Sequence, residues 1–267
     1  MRKLKNPPAT SFRAIGRRLA LKVEMVEGRL VVMAPMWRKA LSTESSFCKA
    51  VVAAGYLSEW QMERAARRYR LGASVQGGVI YWQTDSEERT HDGKVMYYRK
   101  DCHRDKQHTP TWVSALLQRR YQWPDKPRAS HCLFGLHQLS ADFREQQRGL
   151  PAITDETVVA VVEAEKTAVI LSEWQPQCLW LATGGLGEVQ PEKFRPLRGR
   201  RVVLFPDTDP EGEAFRRWYE AARAVEAMVW WQGCLPIHVS PLLELHASED
   251  QKRRKIDLVD FMAEGGK

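Results

Sequence analysis

Val158-Val159-Ala160-Val161-Val162-Glu163-Ala164-Glu165-Lys166-Thr167 and, farther on, Val202-Val203-Leu204-Phe205-Pro206-Asp207-Thr208-Asp209-Pro210-Glu211-Gly212 decide how this chain is read. Each stretch opens as an uninterrupted apolar run and closes on carboxylates, with Glu163 and Asp207 44 positions apart. Runs that are apolar without alternation are strands covered on both faces, as in a parallel sheet between helices. In open α/β sheets, chemistry gathers just beyond the carboxyl ends of such strands. Carboxylates at Glu163, Asp207 and Asp209 have little packing value there, so a divalent cation is the natural reason for them. Asp207 and Asp209 are two apart, which on an extended segment sends both side chains to one side. Such a pair suits Mg²⁺, with Mn²⁺ as the alternative, because a hard cation takes oxygen ligands and keeps waters and phosphates. An EF-hand loop is excluded, since its twelfth position would be Trp218 where a bidentate Glu belongs.

Working outward, the pattern predicts strand 158–162, helix 165–174, strand 179–182, a Gly turn at 184–187, strand 201–205, helix 211–232 and strand 236–239. This alternation argues for a parallel sheet with crossover helices. In the long helix Phe215, Trp218, Ala222, Val225 and Val229 recur at three- and four-residue steps, a stripe that packs on a sheet, and Gly233 ends it. Thr183-Gly184-Gly185-Leu186-Gly187 follows a strand and reads as a turn, since no G-K-[ST] follows to make a P-loop. Lys166 begins a helix beside Glu163 and is the better phosphate contact, because helix N-termini favour anions.

The front of the chain differs in character. Residues 1–22 carry Arg2, Lys3, Lys5, Arg13, Arg17, Arg18 and Lys22 with no acidic residue, and Pro7-Pro8 opens them as an extended arm. Two short helices are expected within 42–72. The second has a capping-box spacing at Ser58 and Gln61 and a stop at Gly72. Its Arg64, Arg67, Arg68 and Arg70 are the candidate phosphate grips, together with Arg17 and Arg18 of the arm; a solvated helix face is the competing reading. Val79–Thr84 and Lys94–Arg99 are rich in aromatic and β-branched residues, with Asp92-Gly93 as the turn between two antiparallel strands. Most of these aromatics are expected to form the core of a small sheet.

Residues 1–150 hold 27 Lys+Arg against 14 Asp+Glu, a balance of +13, whereas residues 151–267 hold 14 against 19, a balance of −5. The flip divides the chain into a basic arm (1–45), a basic α+β domain (46–150) and an α/β domain (151–267). A basic module attracts polyanions such as single-stranded DNA. Five scattered cysteines, odd in number, fit reduced thiols of a cytoplasmic protein better than a disulfide framework. No run approaches the roughly 20 apolar residues that span a bilayer, so no membrane partner is expected. Cys102-His103, His108, His131-Cys132 and His137 are ligand types suited to zinc. Their spacing matches no finger or ribbon, which argues against it.

A strand ending in Glu, a helix, then a strand ending in D-x-D-x-x-G resembles the Toprim domain of bacterial primases, topoisomerases and OLD-type nucleases. VVEAEKTA (residues 161–168) resembles the first motif of Toprim primases, and FPDTDPEG (residues 205–212) the second. Lys255-Ile256-Asp257-Leu258-Val259-Asp260 is similar to the K-D-x-x-D ending of such proteins. From about residue 47 the chain resembles a Toprim-like family carried on bacterial conjugative and mobilisable elements. The resembling segments are Tyr69-Arg70-Leu71-Gly72, Asp92-Gly93-Lys94-Val95-Met96, Cys132-Leu133-Phe134-Gly135-Leu136-His137 and Leu179-Trp180-Leu181-Ala182-Thr183-Gly184-Gly185. The resemblance implies about four parallel strands between helices, with Glu163, Asp207 and Asp209 as catalytic and metal-binding residues. It implies primase-like nucleotidyl or phosphoryl transfer on DNA, in replication or transfer of a mobile element, with a helicase or relaxase as partner. A Toprim nuclease and a non-catalytic nucleic-acid-binding scaffold are the alternatives. Pro206 and Pro210 depart from the family pattern and stiffen the Asp207–Asp209 turn.

Overall fold

A computed structural model describes residues 22–26, 29–33, 42–122, 131–146 and 153–265. The expected arm with Arg17 and Arg18, and the boundary placed near 150, lie outside the described residues. The chain divides into two units, residues 1–55, 62–82 and 88–130 in one and 56–61, 83–87 and 131–267 in the other.

The first unit is built on an antiparallel sheet. Its strands are β1 (Lys22–Val26), β2 (Arg29–Met33), β3 (Gly72–Ala73), β4 (Val79–Thr84), β5 (Thr90–Met96) and β6 (Thr111–Trp112), in the order β1-β2-β5-β4-β3 with β6 on β5. Three helices accompany them: α1 (Ser46–Ala53), α2 (Glu59–Arg68) and α3 (Val113–Tyr121). The capping box before α2 forms as its spacing predicts, Gln61 N–H donating to Ser58 Oγ at 3.3 Å and Ser58 N–H to Gln61 Oε1 at 3.0 Å. The stop is not Gly72. Arg70 takes the left-handed conformation (φ 55°), Leu71 N–H closes on Ala66 O at 2.9 Å, and Gly72 already belongs to β3.

Asp92-Gly93 is likewise not the hairpin turn. Both residues lie inside β5, and the connection from β4 runs through 85–89. Buried Asp92 accepts from Ser114 N–H at 3.0 Å and Ser114 Oγ at 2.5 Å, anchoring the start of α3. A Cβ on Gly93 would stand 2.8 Å from both Ile80 Cγ2 and Trp82 Cε3, so glycine is there for close approach between strands. Trp82, Tyr81 and Ile80 are buried, as the core reading expects.

The second unit carries the parallel sheet. After α4 (Ala141–Gln146) come β7 (Val159–Val162), α5 (Glu165–Trp174), β8 (Leu179–Ala182), β9 (Val202–Phe205), α6 (Glu213–Glu226), β10 (His238–Val239), α7 (Leu242–His246), α8 (Glu249–Arg254) and α9 (Leu258–Ala263). The four strands pair in parallel in the order β10-β9-β7-β8, with Val162 opposite both Ala182 and Phe205. Val159, Val161, Leu179, Leu181, Val202 and Leu204 share one core with Trp218, Ala222 and Val225 of α6. The α/β class with a helix-flanked parallel sheet is thus what the structure has.

The apolar stripe of α6 is shorter than expected. The helix ends at Glu226, so Val229 falls in a separate turn and is 80 % exposed. Gly184 (φ +92°) donates its N–H to Glu163 O at 2.9 Å, which makes the glycine segment a turn that braces the end of β7.

Candidate functional site

The strand order places the site. The chain runs from β7 to β8 on one side, then returns to β9 on the other side of β7, so the connections diverge between β7 and β9. In open α/β sheets ligands lie outside the carboxyl ends of the strands at such a divergence. Glu163 follows β7 there, and Asp207 follows β9 by way of buried Pro206.

A third segment joins this end of the sheet. Thr208 N–H donates to Ile256 O at 3.2 Å, which docks residues 255–260 beside Asp207. Asp257 then caps α9 in a reciprocal capping box with Asp260. Lys166, in the first turn of α5, reaches Asp257 Oδ2 at 3.1 Å and Asp260 Oδ1 at 3.5 Å, and Thr167 Oγ1 donates to Asp257 Oδ2 at 2.5 Å.

Charge is unevenly balanced in this cluster. Burial pushes the Asp207 carboxyl well above the usual range, and the charges of Glu163, Asp257 and Asp260 push it further, against the opposing pull of Lys166. At Asp257 burial also acts upward, but Lys166 and the Thr167 hydroxyl overcome it and hold the group below its ordinary value. Two of the four carboxylates, Asp257 and Asp260, pair with the one ammonium, and Asp207 bears the excess negative charge.

Asp209 does not face the same way. Its Oδ1 accepts from Glu211 N–H and Glu213 N–H, each at 3.0 Å, and its Oδ2 from Ala214 N–H at 2.7 Å. Burial acts to raise this carboxyl, but the three N–H bonds and the nearby Lys255 hold it below the ordinary value. Residues 206–209 continue no strand, and the second aspartate of the expected pair has both oxygens taken by N–H groups at the start of α6. Left-handed Gly212 (φ 63°), where a Cβ would meet Glu244 Oε1 at 2.9 Å, helps swing Asp209 onto the start of α6. Asp209 is a helix-capping carboxylate, while Asp257 and Asp260 lie near enough to Asp207 for their charges to raise its carboxyl. The signal for these two was the K-D-x-x-D ending, which was read as family likeness and not as part of the site.

The donor types fit a hard divalent cation, being all carboxylate oxygen with surplus negative charge. Among the described residues, no group of three or more His, Cys, Asp and Glu already converges to metal-binding distance. The cluster holds charge for a cation without a finished cage.

The expected arginine grip is dispersed. Arg70 is buried and makes two bonds to Glu88, at 2.5 and 3.0 Å, and Arg68 is buried as well. Arg68 ends α2 on its buried face and Arg70, left-handed just past the helix, is turned inward, so the two are corrected to structural roles. Arg67 pairs with Glu63 on the exposed face, and Arg64 is half-buried. Of the zinc-type residues, His103 bonds to Asp101, His108 bonds to Asp105 at 2.8 Å, and burial pushes the Cys132 thiol up to about 12. No helix among the described residues is long and apolar enough to cross a membrane.

No curated protein matches the chain. Among solved structures it is similar to the primase fragment of the bacteriophage T7 primase-helicase protein, with 16% identity and a TM-score of 0.46 over 82% of this chain and 69% of that one. It is also similar to the Aquifex aeolicus primase (zinc-binding and RNA polymerase domains), with 15% identity and a TM-score of 0.46 over 83% of this chain and 59% of that one. A family model described as a domain of unknown function (DUF6371) matches residues 45–208, from the cap of α1 through Thr208. Since that match takes in more than half of the chain, the protein belongs to the DUF6371 family.

Proposed function

We propose that the protein is a divalent-cation-dependent, primase-like enzyme that transfers a nucleotidyl or phosphoryl group on DNA. The observation that carries this reading is the gathering of Glu163, Asp207, Asp257 and Asp260 at the carboxyl ends of β7 and β9, with the Asp207 carboxyl raised by its neighbours. Mg²⁺, or Mn²⁺ in its place, would be held by Asp207 and Glu163 and would neutralise charge developing on a phosphoryl group. Asp209 fixes the turn that presents Asp207, by tying it to α6. Asp257 and Asp260 hold Lys166, whose ammonium balances the acidic cluster and remains close to any incoming phosphate. The basic balance of residues 1–150 supplies attraction for the strand. In this reading the protein serves replication or transfer of a mobile element, inside the cell and beside a helicase or relaxase.

A scaffold without catalysis is the second reading. It is favoured by one feature, the internal neutralisation of Asp257, Asp260 and Asp209 by Lys166, Thr167 and backbone N–H groups. One experiment separates the two. Labelled single-stranded DNA is incubated with nucleoside triphosphates and Mg²⁺. Lengthened strands identify a primase-type activity and shortened ones a nuclease. Either activity is expected to vanish in Asp207→Asn and Glu163→Gln while strand binding persists. Strands left intact by the unaltered protein, across both cations, would leave only the scaffold.

A further inference from the structure

Between β5 and β6 the chain from Tyr97 to His108 folds into a braced loop. Arg99 N–H donates to His103 O, and Cys102 N–H to Arg99 O, both at 2.9 Å; Asp105 N–H donates to Tyr97 O at 2.8 Å. Cys102, buried and left-handed (φ 60°), pins the tip against the unit. The two acidic side chains serve the loop itself. Asp101 Oδ1 accepts from His103 N–H at 3.1 Å and Asp105 Oδ1 from Gln107 N–H at 3.0 Å. Their ion pairs are also internal, Asp101 with Arg99 at 2.7 Å and Asp105 with His108 at 2.8 Å.

The cations are left on the outside. Arg99, Lys100, Arg104 and Lys106 are all exposed. Arg99, His103, Arg104 and Lys106 line, with Asp105 and Gln107, a cavity of about 390 Å³. That volume lies at the small end of ligand sites, enough for a phosphodiester and its sugar. Beside it the His108 ring stacks on Tyr97, with centroids 4.3 Å apart and planes 23° from parallel. The Tyr97 ring is also held by close approach to Gly78, where a Cβ would meet it at 2.8 Å, and its hydroxyl donates to Gln76 Oε1 at 3.2 Å. His108 is therefore the half-exposed end of a rigid stack.

We propose that this loop binds single-stranded nucleic acid, with Arg104 and Lys106 on backbone phosphates, Arg99 held in place by Asp101, and the His108 ring carrying a base. Phosphate contacts by exposed cations and stacking on a ring are the two elements of sequence-tolerant strand binding. The loop meets both requirements, whereas Arg68 and Arg70 of the earlier expectation are buried. The site rests on the reading that the protein handles nucleic acid, but not on the acidic cluster.

The test is fluorescence anisotropy with a labelled single-stranded oligonucleotide, in EDTA, across a salt series. EDTA removes any contribution from cation-dependent chemistry. Arg104→Ala/Lys106→Ala is expected to weaken binding and to flatten the salt slope by about 1.4, at about 0.7 per phosphate contact. His108→Ala is expected to weaken binding about tenfold with the slope retained, as for loss of one stacked base. Arg217→Ala, which removes an exposed charge from α6, should change neither. Equal affinity and slope in the double variant and the unaltered protein would overturn the placement while leaving the nucleic-acid reading intact. Absence of binding by the unaltered protein would overturn both. Thermal melts of each variant confirm that the fold is retained.

Discussion

Asp207 is held in a protonation-prone state because burial strips water from its carboxylate and Glu163, Asp257 and Asp260 add like charge, with Lys166 opposing. A carboxyl raised in the folded state keeps its proton there at pH values where the unfolded chain has released it. From about pH 4 upward, stability from this group therefore falls as pH rises toward the folded value, so the folded chain is penalised at pH 7 relative to pH 4. Asp207→Asn should accordingly melt higher than the unaltered protein in EDTA at pH 7, by about 2–4 °C for each kcal/mol relieved. The advantage should shrink toward pH 4; a lower melting point for the variant at pH 7 would refute this account. Arg70 presents the opposite case. Its guanidinium is buried against Glu88, so Arg70→Ala should cost about 3 kcal/mol in a denaturant titration, the low end for breaking a buried pair because Glu88 keeps some water. An Arg70→Ala protein of full stability but reduced strand affinity would return this residue to phosphate binding.

Among the elements, β4 and β5 show how a turn signal can be misread. Asp92-Gly93 has the composition of a two-residue hairpin loop, yet Gly93 sits in β5 because Ile80 and Trp82 occupy the space a Cβ would take. Gly93→Ala should therefore destabilise the first unit by about 1–3 kcal/mol, the cost of overpacking a close-packed site. A neutral result in equilibrium unfolding would mean that the two side chains yield more easily than the packing indicates. The parallel strands are legible because Val159–Val162 and Val202–Phe205 lack alternation, and α5 stands where the alternating order of strands and helices puts one. The end of α6 is not, since Val229 continues the apolar spacing of Trp218, Ala222 and Val225 past the point where the helix stops. Periodicity cannot register a turn that preserves the spacing of hydrophobic residues.

For the whole molecule, the surplus negative charge of the acidic cluster has a measurable consequence. A cation that binds the folded chain alone stabilises it by mass action, about 2.7 kcal/mol at a hundredfold excess over Kd. Thermal melts should shift upward with added Mg²⁺ in the unaltered protein and should not shift in Asp207→Asn. Equal shifts in both would place the cation elsewhere. This measurement reads binding directly and so does not depend on finding the right substrate.

The amino-acid sequence by itself determined the class of the fold and the end of the sheet at which Glu163 and Asp207 stand, because apolar runs ending in these two residues are local facts that any parallel sheet must bring to one edge. Tertiary structure alone decided which carboxylates meet. Asp209, two residues from Asp207, turns away to cap α6, while Asp257 and Asp260, some fifty residues on, come in through Lys166 and Thr167. The physical reason is that a carboxylate goes where N–H groups and cations are presented to it, and the chain's turns, not its spacing, set where those stand.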